Sequence, residues 1–273
     1  PAVVRLRGLP LGPGDREGDR AAGVPALGEA VADRLSSVSA FFPCYNDAAT
    51  IAAMVEKAAA TLRRVTNDFE IIVIDDGSED DSLAVLEALK ARAPYLRVIR
   101  HPVNRGYGAV LRSGFEAATR EFVFYTDGDG QYDPEELPLL VHAMQDGIGL
   151  VNGYKLQRSD PWYRKVTGKT YEWVARRFFG IRLRDVDCDF RLIRTEYLRR
   201  IPLTFESGAI GVELIRSLQE VGCRMVEVPV HHYPRLYGRS EFFRVRHVYK
   251  LLTDLWRLWW KLRRQQRRRA AAV

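Results

Sequence analysis

No stretch of 18 residues in this chain is free of Asp, Glu, Lys and Arg. A bilayer-crossing helix needs about 20 consecutive apolar residues, so no spanning segment is expected. Cysteine is scarce. Cys44, Cys188 and Cys223 stand far apart and match neither a zinc-ligand spacing nor a CxxC redox pair, which fits a reducing, cytosolic setting. The first 36 residues contain no aromatic side chain and no continuous apolar run. Their Gly, Pro and mixed charges read as a flexible lead-in over residues 1–36 and not as a secretory signal. Basic excess is absent from most of the chain. The net charge is +7, yet Arg239 to Arg269 holds 11 Lys or Arg against 2 Asp or Glu, so the remainder carries −2. A slightly acidic body with no recognition motif beside the basic run argues against a nucleic-acid binder.

At 273 residues and 47% hydrophobic, the chain has an ordinary globular composition and can bury a full core. After Ser37, β-rich runs alternate with helical stretches. The strands expected are Val38–Phe42, Phe69–Ile74, Leu96–Arg100, Glu121–Thr126 and Ile148–Val151. The helices are Ala48–Arg64, Asp80–Arg92, Gly106–Thr119 and Pro134–Gln145, the last with Asp133 as cap and Pro134 in its first turn. Near-continuous apolar strands separated by helices predict an α/β fold, a mostly parallel sheet with helices on both faces.

Ligands of such sheets bind beyond the carboxyl ends of the strands, which makes strand ends the candidate sites. The first end reads Pro43-Cys44-Tyr45-Asn46-Asp47, the second Asp75-Asp76-Gly77-Ser78, the third Asn104-Arg105-Gly106-Tyr107-Gly108 and the fourth Asp127-Gly128-Asp129-Gly130-Gln131. In the fourth, two carboxylates one residue apart suit a hard divalent cation held against a diphosphate. Magnesium takes one or two protein carboxylates and fills its other positions with water and phosphate oxygen. The same residues also build a solvated turn, and one of Asp75 and Asp76 suits a cap ahead of Ser78. Four polar, glycine-containing loops converging on one sheet edge favour a binding site.

Those loops and two later stretches form a set: PCYND, IDDGSEDDS, NRGYGAVLRSGFEAA, TDGDGQYDPEEL, DVDCDFRLIR and EVPVHHYPRLYGRS. In this order, over about Val38 to Ser240, they resemble the family 2 glycosyltransferases of the GT-A fold, in the branch of dolichyl-phosphate and polyprenyl-phosphate sugar synthases. The resemblance implies a Rossmann-like GT-A domain over residues 37–240. It implies inverting transfer of a sugar from a GDP- or UDP-hexose to a polyprenyl phosphate, with Mg2+ or Mn2+ as cofactor. Pro43, Tyr45 and Asp47 would line the nucleotide pocket, and Asp76 would accept hydrogen bonds from the base, since a carboxylate suits an imide or amide N–H. Gly106 and Gly108 would let backbone approach the donor. Asp127, Asp129 and Gln131 would be the metal-associated group, with Asp129 catalytic through the cation. Lys155, Arg164, Arg235 and Arg239 would grip the acceptor phosphate, where Arg is bidentate and Lys a point charge. Lys155 stands where many relatives have Arg, which implies a looser grip.

Asp185 aligns with the family's Asp in its region. A phosphate monoester has its second pKa near 6 and is largely deprotonated at neutral pH, so an orienting or electrostatic role is expected of it and not obligatory base catalysis. DVDCDF departs from the family's more usual DPxSGF by adding Asp187 and Asp189, which either shape the acceptor side or sit in a solvated turn.

Residues 241–273 form a basic tail. Val245, Val248, Leu252, Leu255, Trp259 and Leu262 recur at helical spacing, with Arg246, Lys250, Arg257, Lys261 and Arg264 largely opposite. Such a helix suits the interfacial plane of an anionic membrane, or else packs on the core with a solvated basic face. The expectation is a peripheral enzyme on the cytoplasmic face of the membrane, or one working with a separate membrane subunit. Two competing readings remain. One keeps the donor half but takes a saccharide hydroxyl as acceptor, which requires a base and makes Arg164 and Arg235 dispensable. The other is a non-enzymatic scaffold or nucleic-acid binder that uses the tail.

Overall fold

The computed structural model describes residues 3–5, 34–156, 162–235 and 245–270. Eight strands form one sheet: β1 (Val3–Arg5), β2 (Val38–Cys44), β3 (Phe69–Asp75), β4 (Leu96–Arg100), β5 (Phe122–Thr126), β6 (Leu150–Lys155), β7 (Phe190–Arg194) and β8 (Met225–Val230). Their order is β1-β8-β6-β7-β5-β2-β3-β4. Every pairing is parallel except those of β7, which runs antiparallel to both β5 and β6. The helices are α1 (Ile51–Val65), α2 (Ser82–Lys90), α3 (Tyr107–Ala117), α4 (Leu137–Ala143), α5 (Trp162–Phe179), α6 (Thr195–Leu198), α7 (Ala209–Glu220) and α8 (Val245–Ala270).

The period-2 alternation of a strand divides the core into two layers. Ala40, Phe42, Ile71 and Val73 pack with Leu62 of α1 and Leu140 of α4 on one face. Phe41, Ile72 and Ile74 pack with Leu111 of α3, Leu214 of α7 and Leu255 of α8 on the other. Strands buried on both faces explain why the runs FEIIVID and VSAFFPC are almost wholly apolar. Pro43 is tolerated inside β2 because the β5 pairing already ends at Phe41 opposite Tyr125, so no ladder donor is missed on that side.

The expected strands and helices are present, with boundaries shifted for local reasons. The first helix begins at Ile51 because the amides of Thr50 and Ile51 both turn back to the Asp47 carbonyl, at 2.9 and 3.0 Å. Asp133 caps as expected, its Oδ1 accepting from the Glu135 amide at 3.0 Å. The helix after it divides into a 3-10 turn, Pro134–Glu136, and α4, since Pro138 has no N–H to continue the ladder.

Three features differ from the sequence reading. Val3–Arg5 pairs with β8 as an edge strand inside the segment read as a lead-in. The stretch after Cys188 is a strand, β7, and its reversed direction places Phe190 opposite Thr126. In α8 the buried leucines are Leu251, Leu255, Leu258 and Leu262, with Trp259 packed against them, so Leu255, Trp259 and Leu262 of the expected stripe face the core and Leu251 takes the place expected of Leu252. Leu252 is therefore 59% exposed and Trp256 60% exposed. No helix among the described residues is long and apolar enough to cross a membrane.

Candidate functional site at the end of β5

Thr126 ends a fully buried strand, so the chain leaves the sheet with Asp127 at its edge. Gly128 must be glycine: a Cβ there would lie 2.6 Å from the Pro43 carbonyl oxygen. That close approach, with Thr50 Oγ1 donating to the Gly128 carbonyl at 3.0 Å, locks the acidic loop onto the end of β2. Asp129 Oδ1 accepts from the Gln131 amide at 3.0 Å. The Tyr107 hydroxyl donates to Asp127 Oδ1 at 3.1 Å.

Arg235 comes to the same place from the end of β8. Its Nη2 donates to Asp47 Oδ1 at 2.9 Å and its Nη1 lies 3.5 Å from Asp129 Oδ2. Burial, together with Asp189 and Asp129, raises the Asp127 carboxyl well above its ordinary range. Burial also raises Asp129, against the opposing pull of the Gln131 amide and Arg235. Asp47 is raised by burial too, with the Tyr45 amide and Arg235 acting against it. Desolvated like charges at this spacing favour whatever positive charge can reach them.

The neighbouring loops are tied to one another. Tyr45 donates its amide to Asp47 Oδ2 at 3.2 Å, and the Asp47 amide donates to Ser82 Oγ at 3.0 Å. Asp75 Oδ1 accepts from the Ser78 amide at 3.1 Å, a turn contact and not the helix cap expected of one of the two acids, since α2 begins at Ser82 with Asp81 at its N-cap. Asp76 accepts from the Arg105 and Gly106 amides at 3.0 and 2.9 Å and lies 2.6 Å from His101 Nδ1. The carboxylate expected to read a base thus also holds the third loop in place. His101 Nε2 in turn lies 2.9 Å from Ser113 Oγ. For Gly106 and Gly108 the backbone that comes close is the chain's own. The Gly108 amide donates to the Glu206 carbonyl at 2.9 Å, and a Cβ on Gly108 would sit 2.5 Å from the Phe205 oxygen. Gly106 has φ +95, open to glycine at little cost.

On the other side of β5, Asp185 is 4% exposed. Its carboxylate accepts from the Lys155 and Asp187 amides at 3.3 and 3.2 Å. Lys155 Nζ donates to the Asp187 carbonyl at 2.8 Å and lies 4.0 Å from Asp185 Oδ2. These two expected residues are therefore together, as a buried ion pair. Arg191 is fully buried. Its Nε donates to Asn152 Oδ1 at 2.7 Å, its Nη2 to the Val186 carbonyl at 2.6 Å, and its Nη1 to the Tyr125 hydroxyl. Gln131 links the acidic loop to the end of β8, its Nε2 donating to the Tyr233 carbonyl at 3.2 Å. Arg164 lies on α5, but its side chain is outside the described residues, as is all of Arg239.

The structure brings Asp47, Asp127, Asp129 and Arg235 into one site, with Arg235 against Asp47 of the first loop and Asp129 of the acidic loop. Tyr107, His101, Arg191 and the inward position of Asp189 were not foreseen. Asp189 alone left a signal, as an extra acid in a departing motif. All three cysteines are free and buried, and burial pushes the Cys44 thiol up to about 12, which leaves it unreactive.

The family profile described as Glycosyl transferase family 2 matches residues 39–201. An undecaprenyl-phosphate 4-deoxy-4-formamido-L-arabinose transferase of Yersinia pestis (strain Pestoides F) is 29% identical over 226 residues, covering 81% of this chain and 68% of that protein. Among solved structures, glucosyl-3-phosphoglycerate synthase from Mycobacterium tuberculosis with UDP aligns with TM-score 0.60 and 21% identity, over 81% of this chain and 79% of that one. The same synthase with Mn2+ and UDP-glucose gives 0.59 and 23%, again over 81% and 79%. These likenesses show the fold, a mostly parallel GT-A sheet.

Proposed function

The chain belongs to glycosyl transferase family 2, and from that premise we propose that it moves a sugar from a UDP- or GDP-hexose to a polyprenyl phosphate at the cytoplasmic membrane surface. The observation that carries the donor half is the Asp127 and Asp129 pair at the end of β5, with a guanidinium already against one carboxylate. That contact is a stand-in cation, and the hard oxygen donors suit Mg2+ or Mn2+. Gln131 Nε2 donates to the Tyr233 carbonyl, which leaves its amide oxygen to join the pair. Among the described residues no group of three or more His, Cys, Asp or Glu gathers to hold a metal. A site of two carboxylates completed by diphosphate oxygens agrees with that. A cation held there would offset the charge of the departing diphosphate.

The acceptor half is supported by the named activity of the Yersinia relative. A polyprenyl phosphate oxygen attacks the anomeric carbon on the face opposite the diphosphate, the new C–O bond forming as the sugar–diphosphate bond breaks, which inverts the centre. The nucleophile is already ionised near neutral pH, so no side chain has to remove a proton. Asp185 fits this. Buried and committed to Lys155 and its own loop, it orients a cation and takes no proton. Incubating the protein with a panel of nucleotide sugars, Mg2+ or Mn2+ and a polyprenyl phosphate is expected to give a lipid-linked sugar from at least one donor. Failure with every donor would sink this reading.

Membrane attachment falls to α8, which sets Leu255, Leu258 and Leu262 into the core and turns Trp256 and Trp260 outward. It carries nine Lys or Arg and one acid. Each cation near an anionic surface contributes on the order of 1 kcal/mol, and the exposed indoles of Trp256 and Trp260 add to it. Replacing both Trp256 and Trp260 by Ala is expected to lower co-sedimentation with phosphatidylglycerol vesicles by about tenfold or more. Unchanged sedimentation would move the attachment to a separate membrane subunit.

A further inference from the structure

β5 carries the acidic pair in the middle of the sheet. To one side lie β2, β3 and β4, whose loops hold Asp47, Asp76 and Gly106; to the other lie β7, β6 and β8. Because β7 is antiparallel, with Phe190 opposite Thr126, the next residues outward, Asp189 and Asp127, face one another across the strand ends. Residues opposed in an antiparallel pair share a face of the sheet. The Tyr107 hydroxyl joins the two, donating to Asp127 at 3.1 Å and also lying against Asp189. Asp189 Oδ1 lies 3.5 Å from the Tyr125 hydroxyl and 3.8 Å from Arg191 Nη1, with 18% of its side chain exposed. It is braced from behind and open in front.

Among the described residues no group of three or more His, Cys, Asp or Glu gathers to hold a metal, and Asp189 comes from the residue before β7, a different strand end from that of Asp127 and Asp129. It stands on the side of the acidic pair away from the nucleotide loops. A nucleotide lying over the ends of β2 and β3, with its diphosphate at Asp127 and Asp129, directs its sugar across β5 towards β7. A carboxylate there repels the incoming acceptor phosphate and gains only from hydrogen-bond donors. The sugar supplies these.

We propose that Asp189 is a specificity-determining residue that accepts a hydrogen bond from a hydroxyl or amino group of the transferred sugar and disfavours donors whose sugar carries a carboxylate. The inference rests on the glycosyltransferase reading above. A hydrogen bond to a charged group contributes enough to change kcat/KM by about 10- to 100-fold.

The test compares wild type with Asp189→Asn and Asp189→Gly on nucleotide-linked neutral hexoses, amino sugars and uronic acids. Manganese affinity is followed by EPR, and donor binding with Mn2+ by calorimetry. Both variants are expected to lose about 10- to 100-fold on neutral and amino donors, to shift the uronate-to-hexose ratio upward at least about tenfold, and to keep Mn2+ affinity. Equal loss on all donors would overturn the proposal, assigning Asp189 to folding or to base catalysis. A fall in Mn2+ affinity would also overturn it, making the residue a metal ligand. Binding ratios read specificity without turnover, so wild type that binds donors but transfers nothing removes the acceptor reading alone. Wild type that binds no donor removes both.

Discussion

Replacing Asp129 by Asn is expected to lower sugar transfer by about a thousandfold while the protein stays folded. A cation at a departing diphosphate supplies several kcal/mol of charge stabilisation, and each 1.36 kcal/mol is about tenfold in rate. Asn keeps the shape and one oxygen but removes the charge that, with Asp127, draws a divalent ion. Manganese affinity should fall with the rate. Metal-free stability should not fall. Asp129 is raised by burial above its ordinary range, so in the folded state its ionised form is disfavoured, and stability declines as pH rises from the unfolded carboxylate pKa through the raised value. Removing that charge at neutral pH leaves the melting temperature unchanged or higher. Thermal unfolding with and without Mn2+, beside kcat/KM, checks the argument. Transfer within about threefold of wild type would take the pair out of the chemistry.

Replacing Arg191 by Met is expected to lower the melting temperature by roughly 6–20 °C. Breaking a buried pair by removing one partner costs about 3–5 kcal/mol, and 1 kcal/mol shifts a domain of this size by about 2–4 °C. Arg191 is fully buried and donates to Asn152, the Tyr125 hydroxyl and the Val186 carbonyl. Burial opposes its charge, yet Tyr125 and Asp189 hold the guanidinium above its ordinary value. Met fills much of the volume but leaves those acceptors without their donor and Asp189 without its brace. A drop of less than about 3 °C in a calorimetric scan would show that the network is not what holds β5, β6 and β7 together.

The donor half of the site was legible because it is local. PCYND, IDDGSEDDS, NRGYG and TDGDGQ each follow a strand whose apolar run marks it, and a parallel sheet delivers successive strand ends to one edge. Asp127, Asp129, Asp47 and Asp76 could be set on that edge without coordinates. What Asp76 does there was not legible, since its partners Arg105 and His101 belong to another loop. The same holds for Gly108, whose constraint is the backbone of Phe205 and Glu206, nearly 100 residues away.

Composition, strand periodicity and strand-end chemistry therefore determined the α/β class, the acidic pair and the basic helix, because each depends on residues within one turn or one loop. The reversed direction of β7, the approach of Arg235 to Asp47 and Asp129, and the burial of Leu251 in place of Leu252 on α8 were decided in three dimensions. Each depends on which distant surfaces pack together. A strand's apolar run carries no sign of its direction, a single Arg carries no sign of its partner, and Leu251 and Leu252 are chemically equal until the packing of α8 takes one of them into the core.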